Sequence, residues 1–288
     1  MNLIVETDIG RDPDDFFCLC YLIAAGIDIK AITIFPGDDE QISLIKLISQ
    51  IAGIDIPIGI PRKKTKKESY YGDFHFSLLE KYKIPKSKPD GIGSDIIKDT
   101  ISKFSNCDLL CIGPVTNIAE FLNDSDHIFK KATMQGGFLP YYLSSPTIRL
   151  NKFENKSYSS SFNFNNDIQS MFTYLFSNQI LEKRYVGKNV CHSISYDLSI
   201  HKRVIPKCDV SNLFHSAMSI YLSKHSSKKF HDPMAAACHV HPEIGKWFCG
   251  KPKYNKDNQW TTVPNKNGDQ ILYDVDHEIF WDHIVNFK

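Results

Sequence analysis

Long apolar runs, paired cysteines and an excess of charge of one sign are all missing from this sequence of 288 residues. No apolar run reaches the length of a membrane-spanning helix. The formal net charge is +1, which gives no electrostatic case for binding nucleic acid or a membrane surface. The first residues enter a predicted strand without the basic region and cleavage site of a secretory signal. These absences predict a soluble protein with no nucleic-acid partner and no membrane partner.

The eight cysteines form no Cys-x-x-Cys pair and no zinc-type cluster. Most of them lie in apolar segments, where buried free thiols are common. We therefore expect a reduced, intracellular location, the cytoplasm. The apolar content of 42% is ordinary for a globular protein, and the length is sufficient for one large α/β domain.

Runs of strand length alternate with helical patterns along most of the chain. This alternation predicts an α/β fold with an open, mostly parallel, Rossmann-like central sheet, helices on both faces, and an active site at the edge where the strands end. We interpret residues 1–288 as a single domain with loop insertions at about 61–75 and 141–166. The aromatic residues of the second insertion favour an ordered pocket wall, with a mobile surface loop as the alternative. The predicted strands are 3–5, 29–35, 56–60, 108–112 and 131–134, with another within 182–190, and the predicted helices are 15–25, 41–52, 95–105, 117–122, 167–176, 213–223 and 233–241. Residues 259–275 resemble a β-hairpin with its turn at 265–268.

The loop after the first predicted strand is strongly acidic. It carries Glu6, Asp8, Asp12, Asp14 and Asp15, five carboxylates within ten residues. Carboxylates this close repel one another unless a cation lies between them, and a hard divalent cation with oxygen ligands meets that need. The alternative is a solvated acidic loop that caps the following helix. HAD-type phosphatases also begin with a strand and an Asp-x-Asp loop, but Glu6 replaces the nucleophilic Asp that their chemistry requires.

Three further polar loops follow strand-like runs. They are Gly37-Asp38-Asp39, the segment from Ile112 through Asn117, and Phe230-His231-Asp232-Pro233. In a parallel sheet these loops meet the acidic loop at one edge. Together they supply carboxylates, a backbone carbonyl and a histidine around one point.

At these positions the chain resembles the inosine–uridine-preferring nucleoside hydrolases. The matching segments occur in the family's order and span residues 3 to about 240. They are Glu6-Thr7-Asp8-Ile9-Gly10 through Asp14-Asp15, Gly113-Pro114-Val115-Thr116-Asn117, Gln135-Gly136-Gly137, Ser161-Phe162-Asn163, and His231-Asp232-Pro233-Met234-Ala235.

The resemblance implies hydrolysis of the N-glycosidic bond of a ribonucleoside or nucleoside derivative with Ca²⁺ as cofactor, in purine or pyrimidine salvage, by a homodimer or homotetramer. It further implies a role for each matching residue. The calcium ligands would be the carboxylates of Asp8, Asp15 and Asp232 and the carbonyl of Ile112. Asp14, Asp38 and Asn163 would bind ribose, and Gln135 would also contact the substrate. Asp8 would act as the general base, and His231 would assist departure of the nucleobase, with His192 also near the nucleobase.

The most consequential departure from the family pattern is Ser161, which replaces a Glu that holds the ribose 5′-hydroxyl. Loss of a carboxylate there suits a 5′-substituted substrate, such as a phosphate, because a Glu would repel it. Lys188 and Lys152 are candidate partners of that phosphate. Two alternatives stay open at this point: a nucleoside-binding or metal-binding homologue that has lost catalysis, and a metal-dependent phosphoesterase.

Overall fold

The structure, a computed structural model, describes residues 1–10, 12–63 and 72–286. Its strands are β1 Asn2–Thr7, β2 Asp28–Ile34, β3 Ile58–Ile60, β4 Gly91–Ile92, β5 Cys107–Cys111, β6 Phe129–Gln135, β7 Ile180–Val186, β8 Ser195–Asp197, β9 Ser227–Lys229, β10 Gly245–Tyr254, β11 Trp260–Pro264 and β12 Asp269–Val275. Its α-helices are α1 Asp14–Ala24, α2 Asp39–Ala52, α3 Asp73–Tyr82, α4 Gly93–Lys103, α5 Thr116–Asn123, α6 Phe162–Asn166, α7 Ile168–Phe176, α8 Lys188–Ser193, α9 Leu198–His201, α10 Asp209–Leu222, α11 His231–Val240 and α12 His277–Val285.

Within the described residues, ten strands form one sheet in the order β11-β10-β12-β7-β6-β5-β1-β2-β3-β4. The strands from β12 to β4 are parallel to their neighbours, and β10 and β11 extend the sheet in antiparallel pairing. The predicted α/β fold with a mostly parallel central sheet is therefore confirmed. In the part of the chain that the structure describes, we find no helix long and apolar enough to span a membrane.

The middle of the central strand β1, Leu3 to Val5, is apolar because helices cover both of its faces. Leu3 and Val5 pack into the core that contains α1, α2, α10, α11 and α12. Ile4 points to the opposite face and packs against α4, α5 and α7. Alternate side chains of one strand thus reach two separate cores, which places the loop after β1 near the middle of the carboxyl edge.

The C-terminal pairing differs from the sequence-based prediction. Residues 259–275 do not form a hairpin, because β11 and β12 each pair with β10, which lies between them in the sheet. The hairpin instead joins β10 to β11. The turn signal at 265–268 is a real turn, but local sequence cannot show which strand lies beside it.

The two predicted insertions contain more regular structure than expected. In the first, residues 64–71 lie outside the described residues, and α3 already begins at Asp73. The second contains single turns of 3₁₀ helix at Tyr141–Leu143, Pro146–Ile148 and Asn151–Phe153, followed by α6. Its Phe153 is buried and its ring lies 5.5 Å from that of Phe138 and 5.5 Å from that of His192, which supports the interpretation as an ordered wall.

Candidate active site

A cavity of about 430 Å³ opens at the carboxyl edge of the parallel strands, a volume typical of small-molecule sites. Loops that follow β1, β5, β6 and β7 meet there with the first turns of α1 and α11. The cavity is lined by Asp8, Asp12, Asp14, Asp15, Ile112, Gln135, Ser161, Phe162, Asn163, Lys188, His192, His231 and Asp232. Every predicted site residue except Asp38 and Lys152 is in this lining, together with Asp12 and Phe162, to which no individual role was assigned.

Asp38 is not among the residues that line the cavity. Gln41 Oε1 accepts hydrogen bonds from the backbone N–H groups of Gly37 and Asp38, both at 2.9 Å. Gln41 Nε2 also donates to the carbonyl of Phe35 at 2.9 Å. These bonds hold Asp38 at the start of α2, where it is the N-cap residue.

Three buried carboxylates converge in the cavity. Asp14, Asp15 and Asp232 each offer an oxygen, and these oxygens lie within 4.8 Å of one another. Burial raises the pKa of Asp15 and of Asp232 well above the ordinary value, and the neighbouring carboxylates, including Asp8, raise both further. Thr7 Oγ1 donates a hydrogen bond to Asp15. Such a cluster is unfavourable in its charged form without a cation.

The same place holds a suitable backbone oxygen. The Ile112 carbonyl lines the cavity and accepts a hydrogen bond from Asn163 Nδ2 at 2.8 Å, which leaves its second lone pair for another partner. It comes close to the first loop because Gly113 has no side chain: a Cβ there would lie 2.6 Å from the backbone nitrogen of Asp8. An oxygen-only donor set of this kind fits a hard cation such as Ca²⁺.

Asp14 is held by positive and polar partners that the other two carboxylates do not share. Its Oδ2 accepts from the backbone N–H of His231 at 3.2 Å and lies 3.3 Å from His231 Nδ1, while its Oδ1 lies 3.4 Å from Lys228 Nζ. Burial alone would raise the pKa of Asp14, but Lys228 and His231 outweigh burial and hold this pKa well below its usual range. Asp14 is therefore a carboxylate of the cluster whose charge the protein's own groups stabilise.

Lys228 was missed in the sequence. It is buried, and its ammonium also pairs with Asp12. It points inward because β9 pairs with β8, where Lys228 lies opposite Tyr196. In the sequence, the only pointer to Lys228 was its position shortly before the His-Asp-Pro segment. The strand β9 has three residues and is too short for its sequence to show which side chain faces inward.

The rings of two histidines in the cavity lining, His192 and His231, have centroids 4.9 Å apart. His192 Nδ1 is 2.8 Å from Lys152 Nζ. An ammonium can only donate, so Nδ1 accepts and Nε2 carries the ring proton. Burial, the neighbouring His231 and nearby lysines lower the pKa of His192 to about 3, so this ring is neutral. Among the described residues, the buried Nε2 of His231 has no hydrogen-bond partner, which leaves it available to a ligand.

The wall of the cavity after β6 requires side chains to pack closely against the backbone of two glycines. Asn163 Nδ2 also donates to Gln135 Oε1 at 2.8 Å, and Ser161 Oγ accepts from the Gly137 N–H at 2.9 Å. Gly136 has φ +151°, and a Cβ there would lie 2.4 Å from the Phe164 ring. The Gln-Gly-Gly segment is thus required to seat Asn163 and Ser161 beside the end of β6.

Glu6, the first carboxylate of the acidic loop, is not in the cavity lining. It is fully buried and accepts hydrogen bonds from Thr33 Oγ1 at 2.6 Å and Asn117 Nδ2 at 2.8 Å. Burial raises the pKa of Glu6 to about 8. Asn117 Nδ2 also donates to the Ile34 carbonyl at 3.2 Å. Glu6 and the Gly-Pro-Val-Thr-Asn segment therefore hold β1, β2 and α5 together behind the cavity.

We expect Asn117→Ala to lower the free energy of unfolding by about 2–4 kcal/mol, because it leaves buried acceptors on Glu6 and Ile34 unsatisfied. Asn123→Ala, at the exposed end of the same helix, is the matched control and should change it by less than about 0.5 kcal/mol. Urea unfolding of both variants measures the difference. Equal losses in the two variants would show that the Asn117 hydrogen bonds do not stabilise the fold.

Among known proteins, one family model matches this sequence, and several solved structures share its fold. The family model described as inosine-uridine preferring nucleoside hydrolase matches residues 3–282. A plant nucleoside hydrolase structure superimposes with a TM-score of 0.77 at 16% identity, covering 99% of this chain and 97% of the other. An inosine-uridine preferring nucleoside hydrolase from Bacillus anthracis gives 0.69 at 16%, covering 99% and 98%. A purine-preferring ribonucleoside hydrolase from Gardnerella vaginalis gives 0.69 at 16%, covering 99% and 97%. No curated protein sequence matches.

Proposed function

Because this chain belongs to the inosine-uridine preferring nucleoside hydrolase family, we propose that it hydrolyses the N-glycosidic bond of a ribonucleoside or nucleoside derivative with the help of Ca²⁺. The observation that carries the proposal is the convergence of buried carboxylates, the Ile112 carbonyl and the unpartnered His231 Nε2 in one cavity. In this proposal Asp8, Asp15, Asp232 and the Ile112 carbonyl hold the cation. A bound Ca²⁺ would lower the pKa of water and orient ribose hydroxyls.

The reaction requires one water. Its oxygen forms a bond to C1′ of the ribose while the C1′–N bond breaks, and the electron pair of that bond leaves with the base. Asp8 accepts one proton of the water as general base. The carboxylates of Asp14 and its neighbours stabilise the positive charge that develops on the ribosyl group, which is oxocarbenium-like as in other glycosidases. In this proposal Asp14 and Asn163 bind ribose hydroxyls.

His231 is proposed to assist the leaving base by donating a proton or a hydrogen bond from Nε2. Its Nδ1 lies beside Asp14, which fixes the orientation of the ring, and its Nε2 is the atom left for the substrate. His192 is neutral and lies beside it, so it can hydrogen-bond to the base without adding charge.

We expect His231→Ala to lower kcat on inosine by about 10²-fold or more, the scale of a lost general acid. On p-nitrophenyl riboside the loss should stay within about threefold, since this leaving group is stable without a proton. Steady-state kinetics on the two substrates makes the second substrate an internal control for folding. Equal losses would show that His231 shapes the cavity and donates nothing to the leaving group.

A reducing-sugar assay on a panel of ribonucleosides, run with calcium, tests the function itself. Sugar release that stops after chelation and returns with added Ca²⁺ is the expected result. Release of phosphate from phosphorylated substrates without base release would identify a phosphoesterase instead. Calcium binding with no release of base from any nucleoside or nucleotide would identify a homologue that has lost catalysis.

A further inference from the structure

Charge in the cavity is divided between two regions. The carboxylates lie around α1 and α11, while Lys188 also lines the cavity, and Lys152 interacts electrostatically with Lys188 and with two further lysines. We call Lys152, Lys156, Lys188 and Lys229 the lysine rim. Within the described part of the chain, no carboxylate forms an ion pair with any of the four. Like charges gathered in this way favour an anion as their partner.

Lys188 brings the lysine rim into the cavity. Its side chain is in the cavity lining, and its Nζ donates to the Ser160 carbonyl at 3.2 Å and lies 3.5 Å from Ser159 Oγ. Both contacts leave donor capacity on the ammonium, which has three protons. They place the charge on the residue directly before Ser161.

Lys152 lies on the other side of His192, to which it donates at 2.8 Å. Burial lowers the pKa of Lys152, and Lys229, Lys188 and Lys156 lower it further. Burial and then Lys156 lower the pKa of Lys188 as well. Lys152 therefore lies within electrostatic reach of the other three lysines, although the four come from the second insertion, the start of α8 and the end of β9.

Ser161 completes this part of the wall. Its buried hydroxyl accepts from the Gly137 N–H at 2.9 Å and can still donate its own proton. A hydroxyl is neutral, so it adds no negative charge between the sugar and the lysine rim. The wall beside Ser161 thus offers a hydroxyl donor, an ammonium donor and a positive field, the groups that a phosphate monoester uses.

We propose that the substrate is a ribonucleoside 5′-monophosphate whose phosphate is bound by Lys188 and Ser161, with Lys152, Lys156 and Lys229 attracting it from the rim. This inference rests on the proposed function, because it takes the same cavity and the same cleavage at C1′. The bonds that form and break are unchanged, so the products are the free base and ribose 5-phosphate. No additional reactant is required.

The first test compares kcat/KM for inosine, uridine and their 5′-monophosphates. We expect the monophosphates to be preferred by about tenfold or more, and Lys188→Met to lower kcat/KM on them by about 10- to 100-fold, the range of a lost charge-assisted hydrogen bond. On inosine and uridine, which carry no phosphate, the loss in the same variant should be clearly smaller than on the monophosphates. Lys130→Met, at the amino edge of the sheet in β6, is the matched control and should leave all four values unchanged.

The second test needs no turnover. Calorimetry on the calcium-loaded protein should show ribose 5-phosphate binding at least about tenfold more tightly than ribose, and Lys188→Met should remove this difference. Lys152→Met should reduce the difference in the same direction, and it replaces Lys188→Met if that variant does not fold. Inorganic phosphate alone should bind more weakly than ribose 5-phosphate, since only the sugar phosphate reaches both ends of the cavity.

The outcomes separate this inference from the proposed function. Hydrolysis of plain nucleosides in preference to monophosphates, with ribose 5-phosphate binding no more tightly than ribose, would reject the phosphate site and leave the hydrolase intact. Inorganic phosphate binding as tightly as ribose 5-phosphate would show a general anion site and would also reject the proposal. No hydrolysis of either substrate class would reject the function, and the calorimetry would still decide whether the lysine rim binds phosphate.

Discussion

Replacing Asp8 by Asn is expected to lower kcat by at least about 10²-fold on the best substrate, because the variant loses a positioned general base. The change is nearly isosteric, and Asp8 lies in a loop after β1 outside the apolar cores, so the fold should survive. The neutral amide also removes one of the charges that raise the pKa of Asp15 and Asp232. Steady-state kinetics with saturating calcium measures the effect.

Asp55→Asn is the matched control for this experiment. Asp55 is a highly exposed carboxylate before β3, at the amino edge of the sheet, and its contact with Lys46 at 3.5 Å is solvent-exposed. Its kcat should equal that of the unmodified protein. If the Asp8 variant binds calcium and turns over at a near-normal rate, Asp8 is not the base.

Asp232→Asn is expected to weaken calcium binding by about 100-fold or more and to reduce turnover at low calcium in proportion, because the variant loses one of three proposed carboxylate ligands. Calorimetric titration with Ca²⁺ reads the affinity directly, without any substrate. Asp232 occupies the first turn of α11, so neutralising it also removes a favourable interaction with the helix dipole.

A second variant, also in the first turn of a helix, separates the loss of a calcium ligand from the loss of a favourable interaction with the helix dipole. Asp209→Asn neutralises an exposed carboxylate in the first turn of α10, and it should leave calcium affinity unchanged. The two variants should also differ in thermal stability: added calcium should raise the melting temperature of the Asp209 variant and have little effect on the Asp232 variant. A similar calcium affinity in both would remove Asp232 from the metal site.

Much of the fold could be predicted because its signals are local. Leu3, Ile4 and Val5, just before Glu6, are all apolar, as expected of a central parallel strand, and the acidic loop and apolar helix follow without interruption. Parallel strands end at one edge, so the loops after β1 and β5 that carry Asp8 and Ile112 had to meet there once the alternation of strands and helices was recognised. Asp232 instead follows β9, which pairs antiparallel with β8 outside the main sheet, so the parallel sheet alone did not place it. The segments resembling the family then fixed which residues of those loops line the cavity.

Other features depend on contacts between segments far apart in the sequence. Lys228 reaches Asp14 because β9 pairs with β8, and the lysine rim gathers from separate segments around His192. β10 separates β11 from β12, although the turn between them resembles that of a hairpin. Asp38 follows a strand as the other acidic residues do, yet hydrogen bonds to Gln41 hold it at the start of α2, and it does not line the cavity.

The sequence by itself determined the layered α/β fold, the edge of the sheet that carries the site and most of the residues that line it. Only the tertiary structure decided which carboxylate is paired with a buried lysine, where the cavity is positive, and which acidic loop stays outside it. The physical reason is that strand and helix periodicity depends on neighbouring residues, whereas burial and charge pairing depend on side chains that meet only after the sheet has formed.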